Sequence, residues 1–228
     1  MQSFDDVFSA LVADLARTPA PPDSANPYAD DEPGGRVRQA NLLLYLRHVA
    51  MRNPPALLVA EAPGYRGTRL TGVPFSSRTL LLDGVPEVGM FGAANGYAMP
   101  PDAENAARRE ATATIVWETL VDLQVVPIVW NSFPFHPHQP GQPQSNRPPR
   151  RGEVELGRGF LMRMLELFPV QVVVAVGNTA ADTLTWLEIP HEKVRHPSQG
   201  GKRDFITGMR RILGPFSPAV RDTDYPDR

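Results

Sequence analysis

The 228-residue chain has no cysteine, which excludes disulfides, thiolate zinc sites and cysteine-held iron–sulfur clusters. It has little net charge, with 23 basic against 25 acidic residues and a pI near 6.2. Any polyanionic partner would therefore have to be met by a local basic patch. No stretch approaches the run of about 18 apolar residues that a membrane span needs. The opening segment "MQSFDDVFSALVADLAR" places acids among helically spaced Phe4, Val7, Phe8, Leu11 and Leu15. A secretory signal would be basic and then uniformly apolar, so a cytoplasmic protein is expected. Proline, by contrast, is abundant at 25 residues, which predicts several structured loops. At 42% hydrophobic, the chain can bury a full core.

Punctuation by Pro and Gly divides the sequence. The N-terminal helix is predicted to end near Thr18, followed by "TPAPPDSANPYADDEPGG", read as a surface strap without chemistry. "RVRQANLLLYLRHVAMRN" has helical spacing and stops at "NPP". "PALLVAEAPG" is a short, fully buried strand closed by Pro63 and Gly64. Residues 76–101 form a long loop of the kind that serves as a lid or binding segment. Asp102 is predicted to cap the longest helix, "AENAARREATATIVWETLVDL". "VVPIVWNSFPF" is a second buried strand and "HPHQPGQPQSNRPPRR" a loop. A helix follows over "GEVELGRGFLMRMLELFP", then a third strand, "VQVVVAVG". Asn178 is predicted to cap "NTAADTLTWL". "KVRHPSQGG" reads as a short fourth strand and turn, and "KRDFITGMRRIL" as the last helix. The expected organisation is an N-terminal helix and connector over 1–36, one domain over 37–214, and a tail over 215–228.

Strands alternating with helices predict an α/β fold with a mostly parallel sheet. In such sheets ligands bind at the carboxyl ends of the strands. Glu61 follows the first strand, Asn131 the second and His196 the fourth. The Asn131 amide carries a donor and an acceptor side by side, so it can bond the edge of a planar base. Held in one orientation, it would distinguish uracil from cytosine. Phe75 could stack on a base face, worth about 1–3 kcal/mol. His196 could donate to an oxygen that becomes anionic as a glycosidic bond breaks, and Glu61 could orient a water or face a sugar cation. Each residue also has a structural reading: Asn131 as a turn residue, Phe75 as core, His196 as packing and Glu61 as a solvated charge. His136 and His138 in "FHPH" lack a third ligand nearby, so no metal site is expected. "RPPRR" and "RHPSQGGKR" supply basic loop charge that either holds phosphates or is solvated.

Over residues 37–213 the sequence resembles the uracil-DNA glycosylase superfamily. The resemblance rests on "AEAPG…TGVPF" as a first motif, "VWN" as the base-reading asparagine and "HPS" as the last catalytic motif, in that order. It implies a three-layer α/β/α fold around a central four-stranded sheet, and cleavage of the N-glycosidic bond of a base flipped out of DNA. Carried over by position, Glu61 and His196 are the catalytic candidates. Ala62, Gly64, Phe75 and Asn131 would bind the base, with the Pro63–Gly64 backbone lining the pocket. Ser198 and Lys202 would contact DNA phosphate. No cofactor or metal is implied, and a monomer acting on DNA is expected.

Several positions depart from the family patterns. Ala62 stands where several branches hold a catalytic Asp or Asn, and the carboxylate is one residue earlier, at Glu61. That arrangement resembles the thermostable bacterial and archaeal branch, whose iron–sulfur cluster this cysteine-free chain cannot hold. Gly64 stands where the strictly uracil-specific branch has a tyrosine that blocks a 5-methyl group, which predicts looser exclusion of other bases. After "HPS", "QGGKR" lacks the apolar wedge that fills the gap left by a flipped base. This predicts a preference for single-stranded or mismatched DNA, unless residues 85–100 supply a wedge. The leading expectation is excision of uracil or a related deaminated base. The alternatives are a non-catalytic reader of nucleobases or nucleic acid with the same fold, and a hydrolase of free nucleosides.

Overall fold

The computed structural model describes residues 4–104 and 109–218. In chain order the regular elements are α1 (Phe4–Arg17), β1 (Ser24–Ala25), α2 (Gly35–Ala50), β2 (Ala56–Ala60), α3 (Thr68–Thr71), α4 (Arg78–Asp83), α5 (Ala111–Leu123), β3 (Ile128–Asn131), β4 (His136–Pro137), α6 (Arg151–Leu167), β5 (Val172–Val176), α7 (Asn178–Trp186), β6 (Glu192–Val194) and α8 (Lys202–Leu213), joined by short 3-10 turns. β2, β3, β5 and β6 form one four-stranded sheet in the order β3-β2-β5-β6, and every neighbouring pair is parallel. Helices flank the sheet, so the predicted three-layer α/β/α architecture is the one observed.

The sequence dictates this arrangement. β2 and β3 are buried at every position and β5 at all but its first. Such strands have no solvent face to alternate with and must be covered on both sides. β6 buries only Val194, as expected of an edge strand. Phe8, Leu11 and Leu15 of α1 enter the same core as Tyr45 and Leu46 of α2. The register sets Ala60 opposite Asn131. Just beyond the strands, Ser132 N–H donates to the Ala60 carbonyl at 2.8 Å and Phe133 N–H to the Glu61 carbonyl at 3.2 Å. Glu61 and Asn131 are thereby held side by side at one sheet end.

Several local expectations are corrected. The connector after α1 is built into the fold: β1 pairs antiparallel with β4, and the Asn26 amide caps the end of α1 by donating to the carbonyls of Leu15 and Thr18. Tyr28 is buried and donates its hydroxyl to the Gly72 carbonyl at 3.0 Å. The 76–101 segment is packed, with α4 inside it and Met90, Phe91 and Tyr97 buried. Phe91 lies edge-on to Trp117 with ring centroids 4.9 Å apart. Its largest apolar side chains are therefore spent in the core, and its exposed tip over 93–96 (Ala-Ala-Asn-Gly) offers no bulky wedge. Asp102 caps no long helix. It sits in a 3-10 turn and pairs with buried Arg38, while part of the predicted helix falls on 105–108, outside the described residues. The helix starts at Ala111, capped by Glu110, and α6 is longer at 17 residues. Gly177 rather than Asn178 is the cap residue of α7.

Candidate active site

A cavity of about 570 Å³ opens at the carboxyl end of the sheet, within the usual range of small-molecule clefts. Six of the eight residues singled out from sequence line it: Glu61, Ala62, Gly64, Phe75, Asn131 and His196. Ser198 and Lys202 lie outside. Ser198 is exposed and bonded to His196, and Lys202 opens α8 with its Nζ 3.3 Å from the Glu118 carboxylate.

His196 follows β6 in a turn that closes tightly on itself. An added Cβ at Gly201 would fall 2.1 Å from the His196 carbonyl oxygen, so this position accepts only glycine. Gly177, at the end of β5, has φ +93 and would place a Cβ 3.1 Å from that of His196. Its own N–H donates to the Val194 carbonyl at 2.9 Å. The ring thus rests on bare backbone. Ser198 N–H donates to His196 Nδ1 at 3.2 Å, and the Ser198 hydroxyl lies 2.7 Å from the same atom. A nitrogen that accepts a backbone N–H carries no proton, so the neutral ring holds its hydrogen on Nε2. Burial lowers the pKa of His196, while the nearby Glu110 charge raises it, with a net shift downward. The ring is therefore neutral at pH 7 and presents Nε2–H as a donor.

Asn131 is 4% exposed, and its side chain makes no hydrogen bond among the described residues, although it lines the cavity. Its donor and acceptor therefore face the cavity, where a ligand that displaces solvent has to satisfy both. Phe75 is also nearly buried and has φ +48, a left-handed conformation that is strained for an aromatic residue. It is held there by Trp117, whose Nε1 donates to the Phe75 carbonyl at 2.8 Å. Glu61 is half-buried, and burial pushes its pKa up against a hydrogen bond with Thr179 that pulls it down. A carboxylate kept partly dry at the cavity edge costs stability and is a mark of a reactive site.

The structure adds groups that the sequence reading missed. Glu110 lines the cavity while its carboxylate accepts from the N–H groups of Thr112 at 3.0 Å and Ala113 at 2.6 Å. It was hidden because glutamate is a weaker cap signal than Ser, Thr, Asp or Asn. Asn146, Arg147 and Pro148 also line the cavity, from a loop with no periodicity to mark it. Arg147 is locked in a bidentate pair with Glu153, at 2.6 and 2.7 Å. Much of the predicted basic charge is likewise paired: Arg150 with Asp23, Arg195 with Asp204. His136 is fully buried, with Nδ1 2.7 Å from the Pro63 carbonyl and Nε2 3.2 Å from that of Pro143. It braces the first motif from below. Among the described residues no group of three or more His, Cys, Asp or Glu is placed to hold a metal, and no helix is long and apolar enough to cross a membrane.

No curated protein matches the sequence. Among solved structures, the crystal structure of wild-type SMUG2 from Pedobacter heparinus superposes with a TM-score of 0.64 at 14% identity, covering 97% of this chain and 100% of that one. The family model of the Uracil DNA glycosylase superfamily matches residues 47–210, most of the chain and all of the cavity's strand-end residues. The chain belongs to the uracil DNA glycosylase superfamily.

Proposed function

We propose that the protein hydrolyses the N-glycosidic bond of uracil, or of a related deaminated base, in DNA. The observation that carries this reading is the unpartnered Asn131 amide in a cavity shared with a neutral His196. An empty donor–acceptor pair suits the edge of a base, and an Nε2–H donor suits an oxygen that gains charge as the base leaves. Phe75 supplies the stacking face. As the bond from C1′ to the base nitrogen breaks, the electron pair departs with the base and His196 Nε2–H stabilises the resulting oxyanion. Water oriented by the Glu61 carboxylate, which also offsets the positive charge, then adds to C1′ of the sugar cation; the proton it releases is taken by Glu61 and passed on to neutralise the departed base anion. The substrate is single-stranded or mismatched DNA, since neither the turn after His196 nor the 93–96 tip offers an apolar wedge.

The test is abasic-site formation on labelled single-stranded oligonucleotides carrying uracil, hypoxanthine or xanthine, read by alkaline cleavage. His196→Ala should reduce the single-turnover rate by about 10²–10³, as expected for an oxyanion donor, and Glu61→Ala should reduce it as well. Undiminished product from both variants would sink the mechanism. A second reading, a non-catalytic reader of bases, is favoured by Ala62 at a position lining the cavity. It predicts binding without product on any of the three bases.

A further inference from the structure

The wall of the cavity beside Gly64 is not made by residue 64. A Cβ added there would meet nothing nearer than Asn146 Oδ1, at 4.0 Å. Asn146 comes from the β4–α6 loop, 82 positions later, and lines the same cavity as Gly64, Phe75 and Asn131. Its Oδ1 accepts from Tyr65 N–H at 3.0 Å. A backbone N–H can only donate, so this bond fixes which way the amide is turned. The oxygen faces the first motif, and the NH2 group is left without a partner among the described residues.

The loop that presents Asn146 is pinned on both sides. Before it, the Ser145 hydroxyl donates to the Gln142 carbonyl at 2.7 Å and accepts from Gln139 N–H at 2.9 Å. After it, Arg147 spends its guanidinium on Glu153 and on the carbonyls of His138, Pro148 and Asp23. An amide on such a support loses little further freedom when it binds. The cavity therefore holds two amides with unspent donors, Asn131 deep within it and Asn146 at its exposed rim.

We propose that Asn146 is a further specificity-determining residue, donating its amide hydrogens to an acceptor on the bound base at the point where Gly64 leaves the wall open. This rests on the base-binding reading above. Asn146→Asp tests it directly: the carboxylate still accepts from Tyr65 N–H, but the donor becomes an acceptor. Binding is measured by fluorescence polarisation on single-stranded oligonucleotides containing 2′-fluoro-2′-deoxyuridine or 2′-fluoro-2′-deoxyinosine, which resist cleavage. Each is compared with the same oligonucleotide carrying a tetrahydrofuran abasic analogue. The readout is the ratio of affinities, with base over without base, so that uniform repulsion of DNA by the new charge cancels.

The ratio for the tighter-binding base should fall about tenfold or more in Asn146→Asp, the loss of one hydrogen bond together with an acceptor left facing an acceptor. Thermal unfolding run alongside should stay close to the parent. A smaller fall or an unchanged ratio overturns the assignment, whatever happens to absolute affinity. Parent turnover of the cleavable uracil and hypoxanthine oligonucleotides is measured separately. Its absence defeats the glycosylase reading while the binding ratio still decides on Asn146. A parent ratio near one overturns the assignment of Asn146, whatever the turnover shows.

Discussion

Replacing Glu153 by glutamine removes one charge from a pair that water barely reaches. The side chains of Arg147 and Glu153 are 8% and 3% exposed, and two short bonds join them. Glu153 Oε2 also accepts from Arg150 N–H at 2.6 Å, which closes the first turn of α6. Glutamine leaves the Arg147 cation buried opposite a neutral amide, and breaking a buried pair from one side costs about 3–5 kcal/mol. For a chain of this size each kcal/mol moves Tm by about 2–4 °C, so a fall of roughly 6–20 °C is expected near neutral pH. The pH dependence gives a second check. Burial alone would raise the Glu153 pKa, but bonds from Arg147 and Arg150 N–H outweigh it and hold the carboxyl below its usual range. A carboxylate with a lowered folded pKa contributes stability that is complete above its unfolded pKa, about 4.3. That contribution is lost as pH falls through the folded pKa. The deficit of Glu153→Gln should therefore be full at neutral pH and shrink in strong acid. Urea unfolding across pH measures both. A deficit below about 1 kcal/mol near neutral pH, the size of an exposed pair, would refute the reasoning. Because this pair anchors the loop that carries Asn146, the variant should also lose base selectivity before it loses the fold.

The remaining predictions concern the sheet end. Glu61 has a folded pKa raised by burial, so its ionised form is a cost present above that pKa and absent below the unfolded value of about 4.3. Glu61→Gln should accordingly raise Tm at pH 8 and lose that gain near pH 4, while abasic-site formation falls. Equal Tm differences at the two pH values in scanning calorimetry would count against it. Gly177→Ala adds a Cβ at φ +93 against His196. It should cost about 1–3 kcal/mol for the backbone strain and displace the His196 ring, so product formation drops by more than the stability loss explains. A variant as active as the parent would show that His196 does not need that platform.

The sheet and three of its strand-end residues were legible because topology converts local punctuation into a site. "ALLVA", "IVWN" and "VVVAV" are apolar runs too short for helices, and parallel β2, β3 and β5 end where those runs end. Glu61 and Asn131, and His196 after the shorter β6, therefore had to converge once the strands were parallel. The features that escaped are held by partners far away in sequence. The strained φ of Phe75 depends on Trp117, 42 residues on. The turn of the Asn146 amide depends on Tyr65, 81 residues back. The loop carrying it depends on Arg147 reaching Asp23, 124 residues back. No window around "QSNRPP" contains those partners, so its asparagine looks like any turn residue. The same reasoning explains the overlong helix drawn through Glu110: "AARREATA" is helix-favouring throughout, and only a carboxylate folded back onto Thr112 and Ala113 marks the true start. A parallel sheet thus exposes its strand-end chemistry in the sequence, whereas the loop-borne half of the pocket is specified by long-range hydrogen bonds. Specificity differences within such a fold are therefore expected to lie mainly in the loop-borne half, where a residue such as Asn146 can change without disturbing a strand.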